Sequence, residues 1–151
     1  MKIEEEIKQQ HFKSEYQKAY INLLYTSGWL QMAQHKLFKP FGLTLPQFNI
    51  LRILRGQHPK PVTVSLLIER MLDKTSNASR IVDKLEAKEL VTRKQCPNDR
   101  RTVDVLITQK GLDLLQEMDM CEGGTGTGVK NLTEQEAQQL NGLLDKIRAN
   151  N

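Results

Sequence analysis

Apolar residues recur at three- and four-residue steps through most of the chain, a spacing typical of amphipathic helices. The first such run covers residues 7–37. Gly28 lies in its middle and costs about 1 kcal/mol relative to alanine, which leaves room for a bend or a break. The pattern therefore predicts a long first helix with apolar positions at Phe12, Tyr16, Ala19, Tyr20, Leu23, Leu30, Ala33 and Leu37.

Two shorter helices are predicted next, each with its own capping residue. Thr44 and Gln47 have the spacing of a capping box, and the helix that follows ends near residues 55–56. After a run rich in proline, Thr63 can cap a third helix. We expect that helix to bury Val64, Leu67, Ile68, Met71 and Leu72.

A fourth helix and a hairpin complete this region. The helix is predicted to start at Thr75 or Ser76 and to bury Ala78, Ile81, Val82 and Leu85. The third and fourth helices form a helix-turn-helix candidate. Residues 90–96 and 102–108 then alternate as strands around the turn formers of Pro97, Asn98 and Asp99. The order of helix, helix and hairpin predicts a winged helix.

The C-terminal part is predicted to be helical. Thr108 can cap a fifth helix, although Gly111 falls in its first turn, and Thr133 and Glu136 form a second capping box. Residues 123–128, with the sequence GGTGTG, are poor helix formers and are predicted to be a loop. The last helix carries an apolar stripe with no evident partner in a small winged-helix core, so it needs another surface, at Leu140, Leu143, Leu144 and Ile147.

The positive charge is concentrated in one segment. The 151 residues are 38% apolar and 26% charged, with a net charge of +4. Between Lys74 and Arg101 there are eight cations and four anions, an excess equal to that of the whole chain. A basic face on a neutral scaffold is what a protein that binds nucleic acid presents.

The residues that could contact DNA lie on the fourth helix and the hairpin. The N-terminal half of the helix is polar on its outer side, and short polar side chains can approach bases closely, while arginine can pair with guanine. The hairpin arginines could enter a minor groove. Capping is the alternative role for Thr75, Ser76, Asn77 and Ser79. The candidate DNA-binding residues are Thr75, Ser76, Asn77, Ser79, Arg80, Lys84, Arg93, Arg100 and Arg101.

Three segments together resemble the MarR (multiple antibiotic resistance regulator) family of winged-helix transcription factors. They are residues 45–51 (LPQFNIL), 79–93 (SRIVDKLEAKELVTR) and 99–108 (DRRTVDVLIT). The chain departs from the family pattern at Glu89, where the family usually has glycine, and at Ile107, where it usually has leucine. The fold class expected is mainly α with a small β-hairpin: a winged helix-turn-helix lobe with N- and C-terminal dimerisation helices.

The resemblance implies a homodimer that grips palindromic double-stranded DNA. Residues 1–40 and 109–151 would form the dimerisation region and residues 41–108 the DNA-binding region. Asp99 and Arg101 would shape the wing through a charge-assisted hydrogen bond, leaving Arg100 or Arg101 to reach the minor groove. Of the two, Arg100 is the better candidate for the groove and Arg101 for holding the wing. The function expected is a repressor that a small aromatic ligand releases. Its binding crevice could be lined by Tyr25, Trp29, His35 and Met71, although an ordinary core or interface role is the favoured alternative for each.

Other classes of function have less support in the sequence. No catalytic triad or phosphate-binding glycine motif is present, and the cysteines and histidines lack metal-ligand spacing, so we expect neither an enzyme nor a cofactor. No stretch is apolar enough to cross a membrane, which suggests a cytoplasmic protein. Two alternatives stay open. Basic neighbours could make Cys96 a redox switch, or the winged helix could bind a protein.

Overall fold

The chain divides into two compact units in the computed structural model, which describes residues 1–121 and 128–149. Unit 1 comprises Met1–Gln34 and Thr125–Asn151, and unit 2 comprises His35–Gly124. These units are defined by packing, and the predicted division into dimerisation and DNA-binding regions at residues 40 and 109 stays a prediction. The helix that Thr108 precedes, Gln109–Met120, belongs to unit 2 because it buries Leu115 and Met118 in the core of that unit. Most of the predicted glycine-rich loop, residues 123–127, lies outside the described residues.

Unit 1 is built from helices α1 (Ile3–Glu6), α2 (Glu15–Phe38, which continues into unit 2) and α7 (Glu134–Arg148). The first long helix therefore begins at Glu15 rather than near residue 7, and it runs past Gly28 without a break. Its later start has a local cause. Ser14 Oγ accepts a hydrogen bond from the amide of Gln17, as an N-terminal cap does, and Lys8 has a positive φ of 54° that no helix accommodates.

Unit 2 contains four further helices and three strands. They are α3 (Leu45–Gln57), β1 (Val62–Thr63), α4 (Val64–Arg70), α5 (Ala78–Ala87), β2 (Val91–Cys96), β3 (Asp99–Ile107) and α6 (Gln109–Met120). The predicted caps are confirmed at three of these helices. Thr44 accepts from the amide of Gln47, and Thr63 from that of Leu66. Thr108 accepts from the amide of Gly111.

The three strands form one antiparallel sheet in the order β1-β3-β2. Strands β2 and β3 are the predicted hairpin. The edge strand β1 was not predicted, because it is two residues long and only its pairing of Val62 with Val105 and of Thr63 with Asp104 defines it. Helices α4 and α5 followed by this hairpin make a winged helix-turn-helix, as the sequence predicts.

The core lies within unit 2, between α3, α5, the sheet and α6. The buried stripe predicted for α4 is partly wrong. Leu67 and Met71 are buried, whereas Ile68 is exposed and Leu72 is 81% exposed. The reason is that α4 ends at Arg70, so the helical spacing no longer applies at Leu72, whose amide instead donates to Asn49 Oδ1 at 2.9 Å.

Two positions at the end of α5 and the start of α6 are tightly constrained. Glu89 adopts a left-handed conformation with φ of 60°, the conformation that glycine favours at the end of a helix. Gly111 packs against the backbone, since a Cβ there would lie 2.5 Å from the carbonyl oxygen of Leu90 and 2.7 Å from Ile107 Cγ1. The glycine that disfavours the first turn of α6 is therefore required by close packing.

Candidate nucleic-acid interface

The turn before α5 is organised by one carboxylate. Asp73 Oδ1 accepts from the amide of Thr75 at 2.9 Å and from its hydroxyl at 2.6 Å, while Asp73 Oδ2 accepts from the hydroxyl of Ser76 at 2.7 Å. The side-chain hydrogen bonds from Thr75 and Ser76, with the amide bond, lower the pKa of Asp73 to about 2. Asp73 was not singled out from the sequence. The signal was present, because an aspartate followed two and three residues later by hydroxyl residues favours such a turn.

Helix α5 begins two or three residues later than predicted. Its N-terminal cap is Asn77, whose Oδ1 accepts from the amide of Arg80 at 3.1 Å, and Ala78 is its first residue. Thr75 and Ser76 therefore lie in the turn, with their hydroxyls on Asp73. Ala78, Val82 and Leu85 face the core, as predicted, and Ile81 is half-buried. The outer side exposes Ser79, Arg80, Asp83 and Lys84.

Arg93 connects the hairpin to α5 through two ion pairs. Its guanidinium lies 2.5 Å from Asp83 Oδ1 and 3.1 Å from Glu86 Oε2, so it ties β2 to α5. Its backbone amide also donates to Glu86 at 3.3 Å. Two carboxylates therefore compensate the charge of Arg93 in the folded chain, and its predicted contact with DNA stays a prediction.

The tip of the hairpin is bulged on one strand. Gln95 pairs with Val103, but Cys96 pairs with Asp99, so residues 100–102 have no partner in the register. A bulge of this kind turns side chains out of the sheet. Both Arg100 and Arg101 are exposed there.

Asp99 holds this tip, although not through the arginine side chain. Its Oδ1 accepts from the backbone amide of Arg101 at 2.9 Å, and its Oδ2 accepts from the hydroxyl of Thr102 at 3.1 Å. The predicted contact between Asp99 and Arg101 is thus made by the backbone, and the guanidinium of Arg101 takes no part in it. We predicted that Arg101 holds the wing and that Arg100 enters the minor groove. These contacts do not distinguish the two side chains in that way.

The anions of the basic segment are all engaged locally. Asp83 and Glu86 pair with Arg93, Glu89 pairs with Lys110 at 3.2 Å, and Asp99 binds the hairpin tip. Seven of the eight cations in this segment have no salt bridge within residues 1–121 and 128–149. Two of them, Lys74 and Lys88, donate to backbone carbonyls. The other five lie on α5 and the hairpin: Arg80, Lys84, Lys94, Arg100 and Arg101. Helix α5 and the hairpin thus carry a positive field that neighbouring carboxylates do not cancel.

Two of the four residues of the predicted ligand site lie in unit 1 and two in unit 2. In unit 1, the hydroxyl of Tyr25 donates to Glu6 at 2.6 Å, which raises the pKa of Tyr25, and Gly128 lies against the Trp29 ring, where a Cβ would be 2.7 Å from Cζ3. In unit 2, Met71 is buried in the core and His35 is exposed. Met71 is accordingly a core residue, and the ligand site stays a prediction.

Other chemistry is sparse in the described part of the chain. Cys96 and Cys121 are half-buried free thiols. Among residues 1–121 and 128–149, no group of histidine, cysteine, aspartate and glutamate could hold a metal ion. None of the helices described is both long and apolar enough to span a membrane.

Comparison with known proteins relates this surface to one family. The model of the MarR family matches residues 43–103, which include α3 to α5, the strand β2, the hairpin tip and the first part of β3. The HTH-type transcriptional regulator MgrA of Staphylococcus aureus is 28% identical over 113 residues, 75% of each chain. The crystal structure of a MarR transcription factor from Planctomyces limnophilus is 30% identical, covering 91% of this chain and 98% of that one, with a TM-score of 0.66. A mutant MarR from E. coli, solved in complex with operator DNA, shares the fold with a TM-score of 0.75 at 23% identity and coverage of 91% and 99%.

Proposed function

This chain belongs to the MarR family of transcriptional regulators, and we propose that it binds a palindromic operator in double-stranded DNA through α5 and the hairpin. The observation that carries this proposal is the set of five cations on these two elements, Arg80, Lys84, Lys94, Arg100 and Arg101, which no described carboxylate neutralises. Phosphates are the natural counter-charge for such a surface. The E. coli protein with the same fold was solved with operator DNA, which is consistent with this use of the fold.

In this proposal α5 enters the major groove. Its N-terminal half exposes Ser79 and Arg80, and the first residues of a recognition helix are those that reach base edges. Arg80 pairs with a guanine, and Lys84 meets the phosphate backbone. Asn77 caps the helix through its oxygen, and its amide nitrogen is left to donate to DNA.

The hairpin enters the adjacent minor groove in the same proposal. Arg100 and Arg101 belong to the bulge and carry no ion pair within the described residues, so each guanidinium is available to a narrow, strongly negative groove. Asp99 keeps this tip in shape by binding its backbone.

Salt dependence of DNA binding tests the proposed interface. We expect the double variant Arg100→Ala/Arg101→Ala to weaken binding to all duplexes and to flatten the slope of log K against log salt by about two units per subunit bound. Arg80→Ala should cost about 1–3 kcal/mol and relax base choice at one position. Fluorescence anisotropy with a labelled duplex at several salt concentrations measures both effects.

Lys60→Ala is the matched control for charge. Lys60 is exposed and precedes β1. Val62 pairs with Val105 and Thr63 with Asp104, so β1 runs towards the hairpin tip along the chain. Lys60, which comes before Val62, therefore lies at the end of the sheet away from the tip. The control should leave the slope unchanged. An interface elsewhere is indicated if the control and the double variant change the slope equally.

We further propose that two copies of the chain assemble through unit 1. Of the described residues of unit 1, Ile3 alone is a buried apolar residue. Large apolar side chains are instead exposed on α2, including Tyr16 at 90% and Met32 at 62%, and on α7, including Leu143 at 61% and Ile147 at 62%. An apolar surface of this extent is typical of an interface between subunits, and a dimer would match the symmetry of a palindrome.

A charge placed in this apolar surface tests the dimer. We expect Leu143→Glu to produce a monomer that binds the operator weakly, because a buried carboxylate without a partner opposes association. Gln138→Glu, on the polar side of α7, is the control and should stay dimeric. Sedimentation velocity gives the mass of each, and a dimeric Leu143→Glu variant would contradict the proposal.

Finally, we propose that the DNA-bound dimer is a repressor and that a small aromatic ligand releases it. Support comes from Tyr25 and Trp29, which are aromatic and partly exposed in unit 1. Trp29 is the single tryptophan of the chain, so its fluorescence reports directly on that surface. A panel of small phenols and aromatic acids should include one that changes the Trp29 emission and releases a labelled duplex over the same concentration range. Ligands that change the emission without releasing DNA would argue against this mechanism.

A further inference from the structure

Two hydroxyl groups in the turn before α5 have their protons committed to one acceptor, so they can only accept further hydrogen bonds. A serine or threonine hydroxyl has one proton to donate, and it can also accept. The Thr75 hydroxyl lies 2.6 Å from Asp73 Oδ1 and the Ser76 hydroxyl 2.7 Å from Asp73 Oδ2. An ionised carboxylate can only accept, so both protons are directed at Asp73 and only the acceptor side of each hydroxyl is left.

Asp73 stays ionised under all ordinary conditions. Its pKa is lowered to about 2 by the hydrogen bonds from the Thr75 and Ser76 hydroxyls and the Thr75 amide. Neighbouring Lys74 does not compete for its oxygens, because the ammonium group donates to the backbone carbonyls of Ile68 and Glu69 at the end of α4.

Because these two hydroxyls can only accept hydrogen bonds, they can bind only donor groups on a duplex. Phosphate oxygens have no proton to donate at neutral pH, so an acceptor gains nothing from them. In the major groove, adenine and cytosine present amino groups, whereas guanine and thymine present carbonyl oxygens at the corresponding positions. Serine and threonine ordinarily bind either kind of base, because they can donate or accept.

We propose that Asp73 is a positioning residue that makes Thr75 and Ser76 obligate acceptors, so that this part of the interface selects adenine or cytosine over guanine or thymine. The inference rests on the proposed binding of DNA by α5 and extends it to a rule for base choice. Thr75 is exposed and Ser76 is half-buried beside the first turn of α5, which is the part of a recognition helix that meets base edges.

Selection from random DNA tests this rule. The probe is a pool of duplexes with roughly 20 random base pairs, about two turns of the helix. The wild-type chain and the variants Thr75→Val and Ser76→Ala, each of which removes one hydroxyl, are used to select sequences. We expect the variants to lose preference at one or two base positions, at which the wild type favours adenine or cytosine about tenfold. Such an adenine can also be replaced by the unsubstituted base purine, which is adenine without its amino group. This replacement should weaken DNA binding by the wild type by the same factor and leave binding by the variant unaffected.

Asp73→Asn tests the role of the carboxylate. An amide has one donor and one acceptor end, so one hydroxyl would accept from it and regain a free proton. We expect the preference at that base position to disappear or to change to guanine or thymine. Ser27→Ala, on α2 in unit 1, removes a hydroxyl outside the turn and should select the wild-type sequence. Circular dichroism of each variant checks that the helices are intact.

Three results would overturn the inference. The positions that depend on Thr75 and Ser76 could favour guanine or thymine in the wild type. Thr75→Val and Ser76→Ala could change no base position, or could weaken all sequences equally with a smaller salt slope, as loss of a phosphate contact does. Asp73→Asn could also leave the preference at those positions unchanged. If the wild type binds no duplex, the proposed function fails as well, whereas a wild type that selects a defined sequence without the amino preference refutes this inference alone.

Discussion

Gly111→Ala should destabilise unit 2 despite the higher helix propensity of alanine. The added Cβ would lie 2.5 Å from the Leu90 carbonyl oxygen, where ordinary contacts begin at 3.4 Å, so α6 or the Leu90 backbone must move by roughly 0.9 Å. The Leu90 carbonyl also accepts from the amide of Thr108 at 3.0 Å, and the preceding carbonyl of Glu89 accepts from the Thr108 hydroxyl at 2.7 Å. Any movement therefore strains these bonds as well.

The expected change in the free energy of unfolding combines two unfavourable contributions and one favourable contribution. Overpacking costs about 1–3 kcal/mol. A weakened hydrogen bond at Leu90 costs about 1 kcal/mol. Alanine in a helix regains about 1 kcal/mol relative to glycine. The net loss in the free energy of unfolding is about 2 kcal/mol, or a decrease in Tm of about 4–8 °C for a chain of this size.

Thermal and urea unfolding followed by circular dichroism measure this change. Gly56→Ala is the matched control, because Gly56 also lies in a helix of unit 2 and a Cβ there would meet nothing within 4 Å. We expect the control to raise the Tm by about 1–4 °C, in line with a gain of up to about 1 kcal/mol. If Gly111→Ala is as stable as Gly56→Ala, the close packing of α6 against Leu90 is refuted.

Three further changes test the surroundings of α5. Glu89→Gly should raise the free energy of unfolding by about 1 kcal/mol, because glycine adopts the φ of 60° without strain; equal or lower stability in urea would show that no strain is present. Arg93→Met should lower the free energy of unfolding by about 0.5–1 kcal/mol. The difference from the wild type should shrink in 1 M salt, since the ion pairs with α5 are partly exposed. The lowered pKa of Asp73 means that its contribution to stability is fully present above its usual value of 3.8 and is lost as the pH falls towards 2. A carbon NMR titration should place its midpoint near 2, and a midpoint near 3.8 would contradict the hydrogen bonds in the turn.

Local features of the fold were predictable because their causes are local. A threonine followed by a helical run can satisfy the free amide of that helix whatever the rest of the chain does, and the caps at Thr44, Thr63, Thr108 and Thr133 are formed as expected. The order of the helices and the hairpin could also be predicted from the sequence. That order was enough to predict the winged helix and the resemblance to the family. Sequence periodicity failed at Leu72, where it was extended past the end of α4, and at Ile68, which is exposed within that helix.

The amino-acid sequence by itself determined the sequence of elements, their caps and the basic segment around α5. Only the tertiary structure decided which of the charges in that segment are free, because the pairing of Arg93 with Asp83 and Glu86 joins a strand to a helix that precedes it. It likewise decided that Val62 pairs with Val105, and that Gly111 is needed where Leu90 approaches. Composition and periodicity describe each residue with its neighbours in the chain, whereas ion pairs, strand pairing and steric limits depend on distances between residues that only folding brings together.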